Sequence, residues 1–358
     1  MTVNAATEVL PTVVVGAGLA GLTVAHRLQG AGQSVLVLEK SRGFGGRLSR
    51  RRVTDGFAEH GLPLLRASGP LTRELISGAR RSGQLQLWSG RGWSLDASGR
   101  AVRQEGEDWI APAGISSLAR SLGDGLEVRL QQRLVALEPQ PGGWRLTVET
   151  PEGPRTLEAR RLVLAIPAPQ VLELLQPLAQ RLPSLLAGLA SVRYDPAITA
   201  IASYPALPIP DLGSHWRLDC PHHPQLRWLG LDSSKGDRNA TPVVVVHSQG
   251  DWARARFDAS DREALGKDLL RAGAELLALP ELRGPTQLQV HRWGYALLRQ
   301  GVIPDCLAEL DLQLWLGGDW CGDRGGDGIE ALPHSHLVER ALASGRAIAA
   351  DLLGQPDT

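Results

Sequence analysis

Thr12-Val13-Val14-Val15-Gly16-Ala17-Gly18-Leu19-Ala20-Gly21 is the stretch that decides the fold. Three consecutive β-branched residues, Val13 to Val15, read as a strand buried on both faces, as strands of parallel sheets are. Gly16, Gly18 and Gly21 then form G-x-G-x-x-G, and each glycine has its own task. Gly16 permits the tight turn, Gly18 lets the backbone approach a pyrophosphate, and Gly21 lets a helix pack closely on its strand. The Ala-rich apolar stretch Leu19 to Leu28 supplies that helix, whose first amides and dipole favour phosphate charge. A second strand, Val35 to Leu38, ends on Glu39, and 39 − 21 = 18 residues past the last glycine is close to where a carboxylate must meet ribose hydroxyls. Together these parts predict a dinucleotide-binding βαβ unit.

Working outward, the 358 residues exceed the usual size of one domain, so two interleaved domains are expected. Hydrophobic residues at 43% suffice for a large core. The 38 basic and 38 acidic residues balance, so no global field draws nucleic acid or an anionic membrane. No apolar run approaches the roughly 18 residues of a membrane span. The first ten residues lack a basic head followed by an apolar stretch, so no secretory signal is expected. Three cysteines, Cys220, Cys306 and Cys321, suit reduced thiols better than a disulfide framework. The expected setting is the cytoplasm.

Beyond Glu39 comes Lys40-Ser41-Arg42-Gly43-Phe44-Gly45-Gly46-Arg47-Leu48. A second glycine pair just past the ribose-binding acid is unnecessary for NAD alone. It suits an extended FAD, with Gly45-Gly46 passing the pyrophosphate and Arg47 in reach of it. Arg47, Arg50, Arg51 and Arg52 make either a solvated basic face or a contact with cofactor or substrate phosphates. Trp88 and Trp93 mark an excursion over 68–105. Strands are expected at Leu126 to Leu130, Leu134 to Leu137 and Trp144 to Val148, the last after a Pro141-Gly142-Gly143 turn. Arg161 to Ile166 is a buried strand broken by Pro167. Further strands at Ile198 to Ser203, Arg227 to Leu231 and Val243 to Val246 predict a mostly antiparallel sheet. Ser260 is expected to cap a helix with Leu265, Leu269, Ala272 and Leu276 on one face.

The combination of G-x-G-x-x-G, an acid and then Gly-Gly-Arg resembles the flavin amine oxidases and their relatives. Leu164-Ala165-Ile166-Pro167-Ala168-Pro169 is similar to that family's crossover between domains, and Gly318-Asp319 to the pair that follows its last strand. Val338-Glu339-Arg340-Ala341-Leu342-Ala343-Ser344-Gly345 is similar to its closing helix, whose N-terminus faces the flavin. The resemblance implies an α/β fold: a Rossmann-type FAD-binding domain, p-hydroxybenzoate-hydroxylase-like, interleaved with an α+β substrate domain on a mostly antiparallel sheet. It places the FAD domain at 8–67, 106–168 and 297–356 and the substrate domain at 68–105 and 169–296. It implies non-covalent FAD, held by Gly16, Ala17, Gly18, Ala20, Gly21, Glu39, Lys40, Gly46, Arg47, Leu48, Leu134, Ala165, Gly318, Asp319, Val338 and Glu339. Leu134 would meet adenine through its backbone, and Asp319 would meet the phosphate or ribityl portion.

Val245-Val246-His247, Arg292-Trp293-x-Tyr295-Ala296 and Gly318-Asp319-Trp320 resemble the renalase branch more narrowly. That branch implies oxidation of a small reduced molecule, a misreduced dihydronicotinamide dinucleotide, with oxygen as acceptor and hydrogen peroxide as product. Trp293 and Tyr295 would supply a stacking surface for the substrate ring. Three departures from the family pattern stand out. Leu62-Pro63-Leu64-Leu65 replaces a Gln-aromatic segment, Arg340 replaces a glycine, and about fourteen extra residues at 322–335 are expected to form a flap.

Other chemistries lack their signatures. There is no Ser-His-Asp order, nucleophile elbow or zinc helix. Cys220 with His222 and His223, and His334 with His336, lack the spacing of a complete four-ligand site, so no metal is expected. The competing readings are an oxidase of small amines, an FAD-dependent desaturase or isomerase of the carotenoid or protoporphyrinogen type, and a flavin-binding protein without turnover.

Overall fold

The computed structural model describes residues 9–90, 92–322 and 334–354. Val9–Val15 lies between two parallel neighbours in the first sheet, Gly153–Leu164 on one side and Leu36–Glu39 on the other. Glu127–Leu130 extends the sheet past Leu36–Glu39, and Leu314–Leu316 pairs in parallel with Leu162 to Leu164. The register carries each strand to the same edge, with Val15 level with Leu38 and Leu164, and Leu164 level with Leu316. Glu39, Ala165 and Gly317 to Asp319 therefore gather with Gly16 at the carboxyl ends. That is where open α/β sheets bind ligands. Arg133–Gln140 and Gly143–Thr150 continue the sheet as an antiparallel meander on the first half of Gly153–Leu164.

Val13 to Val15 are buried because both faces of the sheet are covered. On one face, Val14, Val37 and Val163 meet Leu22, Ala25 and Leu28 of the helix Leu19–Gly30 and Ile348 and Leu352 of the closing helix His334–Leu353. On the other face, Val13, Val15, Leu36 and Leu162 share a core with Trp144, Leu146, Val171 and Leu189. Two close approaches make the helical face possible. A Cβ on Gly21 would overlap the Gly16 carbonyl oxygen, and one on Gly345 would lie 2.6 Å from the Ala20 carbonyl oxygen.

The second sheet runs Gln287–Gln300, Arg193–Ser203, Val243–Ser248, Leu226–Leu231, Arg217–Asp219, Trp93–Leu95 and Ala101–Arg103. Every pairing is antiparallel except that of Arg217–Asp219 with Trp93–Leu95. Its outer face packs Ile198, Ala200, Val244 and Val246 against Leu265, Leu269 and Leu270 of the helix Arg262–Leu276. Its inner face turns Ile201, Trp228, Val243 and Val245 toward Val53, Ala58, Leu64 and Ile110. Within the stretch 68–105, the helix Pro70–Arg81 packs Ile76 and Ala79 against Val338 and Leu342, while the strands at 93–95 and 101–103 join the second sheet.

One local reading needs correction. The helix Arg262–Leu276 is capped by Asp261, not Ser260, because the Asp261 carboxylate accepts the Ala264 amide at 2.9 Å. The closing helix is described from His334 to Leu353, so the backbone of Val338 and Glu339 lies inside it. The 322–335 flap lies, apart from its ends, outside the described residues.

The two glycines of the first turn separate a packing role from a ligand role. Gly21→Ala drives a methyl into the Gly16 carbonyl, whereas a Cβ on Gly18 meets no atom within 4 Å. With flavin removed, Gly21→Ala is expected to cost about 1–3 kcal/mol of stability and Gly18→Ala under about 0.5 kcal/mol. Thermal melts of the two variants beside the parent chain check this.

Candidate active site

The first turn is a cradle. Gly16 takes a φ of +108°, outside the range of ordinary side chains, and its amide donates to the Leu38 carbonyl at 2.8 Å. The Glu39 carboxylate is buried and accepts the Ala17 amide at 2.9 Å and the Ser41 amide at 2.8 Å. It is thereby aimed across the turn, with further lone pairs left for ribose hydroxyls. The helix starts at Leu19 without a side-chain cap and with no acid in its first turn. Its leading amides stay available to an anion over the open space at Gly18. Lys40 is exposed beside this cradle.

The second glycine pair closes the cradle from above. The Gly45 amide donates to the Ala17 carbonyl at 2.8 Å, and a Cβ on Gly46 would lie 3.8 Å from the Gly18 Cα. Leu48 and Ala20 bury their side chains, so only their backbone can face a ligand. Ala165 donates its amide to the Val15 carbonyl at 2.9 Å, beside Gly16. Leu134 sits where a bulge shifts the register toward Ala136, and the Gln132 amide meets the Glu39 carbonyl at 2.9 Å. A buried carboxylate, free helix amides and two facing glycine turns match the ribose and pyrophosphate of FAD in charge and in shape.

Arg47 and Asp319 form one unit. Arg47 reaches an Asp319 oxygen at 2.7 Å, and the Tyr194 hydroxyl donates to the other at 2.9 Å. Burial opposes the Arg47 charge, but Asp319 more than offsets it and holds the guanidinium above its ordinary range. Burial, and then Asp319, push the Tyr194 hydroxyl well up. Both Asp319 oxygens thus have protein partners, and the Gly318 amide donates to Ser344 Oγ at 3.0 Å. Glu339 turns to a different task. Its carboxylate accepts the Leu71 and Thr72 amides at 2.9 and 2.7 Å, capping the helix Pro70–Arg81.

Next to this unit the two sheets bring aromatic side chains together. Alternation along Gln287–Gln300 puts Gln289, His291 and Trp293 on the inner face. His291 lies opposite Thr199, which lies opposite His247, which lies opposite Trp228. His60 seats against this row, with ring centroids 4.7 Å from His291 and 5.0 Å from Trp293. Its carbonyl accepts both Trp293 Nε1 at 3.0 Å and Thr199 Oγ1 at 3.1 Å. Trp293 can therefore offer a substrate its ring but not its N–H. A Cβ on Gly61 would approach that ring at 3.4 Å and overlap the Arg47 carbonyl oxygen. Tyr295 instead meets Tyr194 edge-on at 5.8 Å.

The turn at His60 is locked from behind. Glu59 is buried with Lys235, Arg238 and Asp232. Lys235 Nζ reaches Glu59 at 2.5 Å and Asp232 at 2.6 Å, and Arg238 reaches Glu59 at 3.2 Å and Asp232 at 2.9 Å. The Ile115 amide donates to Glu59 at 2.7 Å. Two carboxylates against two cations leave no net charge in this quartet, which fixes the hairpin Arg50–Val53 and Gly56–Glu59 beneath the second sheet. Elsewhere, Leu62 and Leu65 fill the core beside Ile76 and Trp109, so the departure at 62–65 is a packing segment. Arg340 Nε donates to the Cys321 carbonyl at 2.9 Å, tying the closing helix to the last strand. His223 accepts the Gln225 and Leu226 amides as a turn residue. Among the described residues no group of three or more His, Cys, Asp or Glu side chains could hold a metal ion.

Sequence reasoning missed Tyr194, Thr199, His291 and the quartet. His291 was findable, since it stands two residues before Trp293 in a strand and so shares its face. The others carry no local signal.

Burial, above all, holds His60 and His247 neutral, each pushed down to about 3 from an ordinary 6.5. An unfolded chain takes up protons at these positions as pH falls through about 6.5, while the folded chain does not until about 3. Their stabilising contribution is therefore complete above the unfolded value and declines below it, by about 2 kcal/mol each at pH 5. Urea unfolding at pH 7.5 and pH 5 is expected to show this loss. His291, held down to about 4, adds a similar share, so His60→Asn should remove about a third of the difference linked to these three histidines.

Residues 91–353, more than half of the chain, match the family described as flavin containing amine oxidoreductase. Residues 14–77 match the NAD(P)-binding Rossmann-like domain. An L-amino acid oxidase of Crotalus durissus cumanensis is 45% identical over 64 residues, which cover 18% of this chain and 13% of that protein. The match thus spans a small fraction of that relative's length. Among solved structures, one from Exiguobacterium sp. 255-15, assigned provisionally as a protoporphyrinogen oxidase, superposes with a TM-score of 0.69 at 15% identity, covering 98% of this chain and all of that one. Putrescine oxidase bound to putrescine gives 0.65 at 14% identity, covering 98% of this chain and 100% of its own. Cyclohexylamine oxidase from Brevibacterium oxydans IH-35A gives 0.67 at 12% identity, covering 97% and 100%. At these identities the likeness is one of fold: a Rossmann-type α/β domain joined to a substrate domain on a mixed sheet. No helix among the described residues is long and apolar enough to cross a membrane. The chain belongs to the flavin-containing amine oxidoreductase family.

Proposed function

We propose that the protein is an FAD-dependent oxidoreductase of the renalase type. It binds FAD non-covalently and oxidises a misreduced dihydronicotinamide dinucleotide, with oxygen as the final acceptor. Bound FAD supplies the two-electron acceptor, which oxygen reoxidises with release of hydrogen peroxide. The chain's own residues position and insulate. Gly16, Gly18, Gly46 and the first amides of the helix hold the pyrophosphate, Glu39 holds the ribose hydroxyls, and Arg47, set by Asp319 and Tyr194, borders the phosphates. Trp293 offers its ring to the substrate.

One observation carries the substrate class: the cluster of His60, His291 and Trp293 is uncharged and is bordered by a guanidinium. His60 and His291 sit at about 3 and about 4, with burial the largest cause and Arg51 a further one. Such a surface suits a neutral planar ring and disfavours an ammonium ion. A dihydropyridine regains aromaticity when it gives up hydride, so it needs placement more than a strong acid or base. The two tyrosines speak in the same direction. Rings 5.8 Å apart and edge-on touch each other and leave no slot for a substrate nitrogen.

Oxidation of a small amine is the second reading, favoured by the family match over 91–353. Anaerobic mixing of the holoenzyme with misreduced NAD, ordinary NADH and a panel of amines separates the two. Bleaching of the flavin by the misreduced fraction is expected; bleaching by an amine alone would overturn the proposal. The isolated protein should be yellow and should release its flavin on heating or acidification. Glu39→Gln is expected to weaken FAD retention roughly tenfold, through loss of a charge-assisted bond of about 1.5 kcal/mol. Equilibrium dialysis measures it, and unchanged occupancy would remove Glu39 from the ribose site.

A further inference from the structure

The hairpin Arg50–Val53 and Gly56–Glu59 lies along the first half of the strand Gln287–Gln300, at the edge of the second sheet. Thr54 Oγ1 bonds Gln287 at 2.9 Å, and the Gln289 amide grips the hairpin with both of its ends. Its oxygen accepts Arg51 Nε at 2.9 Å, and its nitrogen donates to the Arg52 carbonyl at 3.0 Å. Gln289 stands four residues before Trp293 on the same face, about 13 Å along the strand. An arginine anchored there stands beside the position of His291, the next residue on that face.

We propose that Arg51, flanked by Arg262 around the sheet edge, holds the phosphate groups of a dihydronicotinamide nucleotide whose ring lies at Trp293. This rests on the substrate reading above and assigns the binding of its charged half. Arg51 is prepared for an anion. Its Nε is pinned by a neutral amide, so the two terminal nitrogens stand as a fixed fork suited to phosphate. Among the described residues neither Arg51 nor Arg262 has a carboxylate partner. The nearby acids are otherwise engaged: Asp55 accepts Thr241, Asp261 caps its own helix, and Glu263 pairs with Lys267. The His291 imidazole, next to Gln289 on this face, is held down to about 4 by burial first and then by the charges of Arg51 and Arg262. In a chain with 38 basic and 38 acidic residues, this is a local surplus of positive charge next to a neutral ring seat.

The test compares two substrates that share a ring and differ in phosphate: misreduced NADH and the correspondingly misreduced dihydronicotinamide riboside. Flavin reduction by each is followed anaerobically in the holoenzyme and in Arg51→Gln, Arg51→Lys and Arg262→Gln. The wild type is expected to prefer the dinucleotide, with a KM that rises with salt. Arg51→Gln should lower that preference ten- to a hundredfold, Arg262→Gln less, and Arg51→Lys should restore only part of it. Melting temperatures equal to wild type show that the variants fold. Equal KM for both substrates in the wild type, or an unchanged preference in Arg51→Gln, would overturn the phosphate assignment while leaving the ring substrate in place. A wild type reduced by neither nicotinamide but by an amine would overturn the substrate reading itself, and this proposal with it.

Discussion

A buried carboxylate needs a cation, and the site depends on how Asp319 meets that need. Asp319 lies just past the last strand of the first sheet, Arg47 directly follows the second glycine pair, and Tyr194 comes from the second sheet. Three segments that are far apart in sequence thus converge on one side chain that is 3% exposed. Removing one partner of such a pair strands the other's charge, at a cost of about 3–5 kcal/mol. The pair therefore fixes the distance between the nucleotide cradle and the strand that presents Trp293 and Tyr295. The same physics operates a few residues away, where Glu59, Asp232, Lys235 and Arg238 neutralise one another beneath His60. Two neutral ionic clusters join the halves of the molecule, and both border the aromatic seat.

The seat owes its lack of charge to burial. Imidazoles enclosed by two sheets lose the hydration that would favour protonation, and guanidinium groups nearby disfavour it further. A site meant to transfer a proton would place at least one of these groups near neutrality. His60 and His247 lie far below it, and His60 spends its carbonyl on Trp293 and Thr199. The cluster is thus held by packing and hydrogen bonds and not by charge.

Much of this was legible in the sequence because parallel strands and glycine turns leave strong local marks. Val13 to Val15, Glu39 and Gly45-Gly46 found their places for reasons visible within thirty residues, and Gly21 packs where G-x-G-x-x-G puts it. The strands at 193–203 and 243–248 likewise follow from β-branched residues, and that at 226–231 from alternating leucines around a tryptophan. What stayed hidden was settled by distant partners. Glu39 and Glu339 are both acids beside the cofactor motifs, yet one faces the cradle and the other caps a helix contributed by residues 70–81. Nothing near Tyr194 in the chain announces that its hydroxyl will meet Asp319.

The departures from the family pattern share one physical theme. Leu62 and Leu65, where the resemblance leads one to expect a Gln-aromatic segment, pack in the same cluster as Ile76, Ala79, Val338 and Leu342. Glu339, in the same turn of the closing helix, caps the helix that supplies Ile76 and Ala79. Arg340 follows at once and reaches the Cys321 carbonyl, at a point where a glycine could reach nothing. An apolar loop, a cap and an arginine anchor are thus neighbours in space, and each strengthens the hold of the closing helix on the helix Pro70–Arg81 or on the last strand. The helix Pro70–Arg81 covers the loop turned inward, and Glu339 satisfies that helix's first amides. Leu64 of the same loop turns the other way and packs beneath the second sheet with Trp228, Val243 and Val245. The loop therefore ties the packing around the closing helix to the inner face of the second sheet, beside the row that runs from Trp228 through His247 and Thr199 to His291.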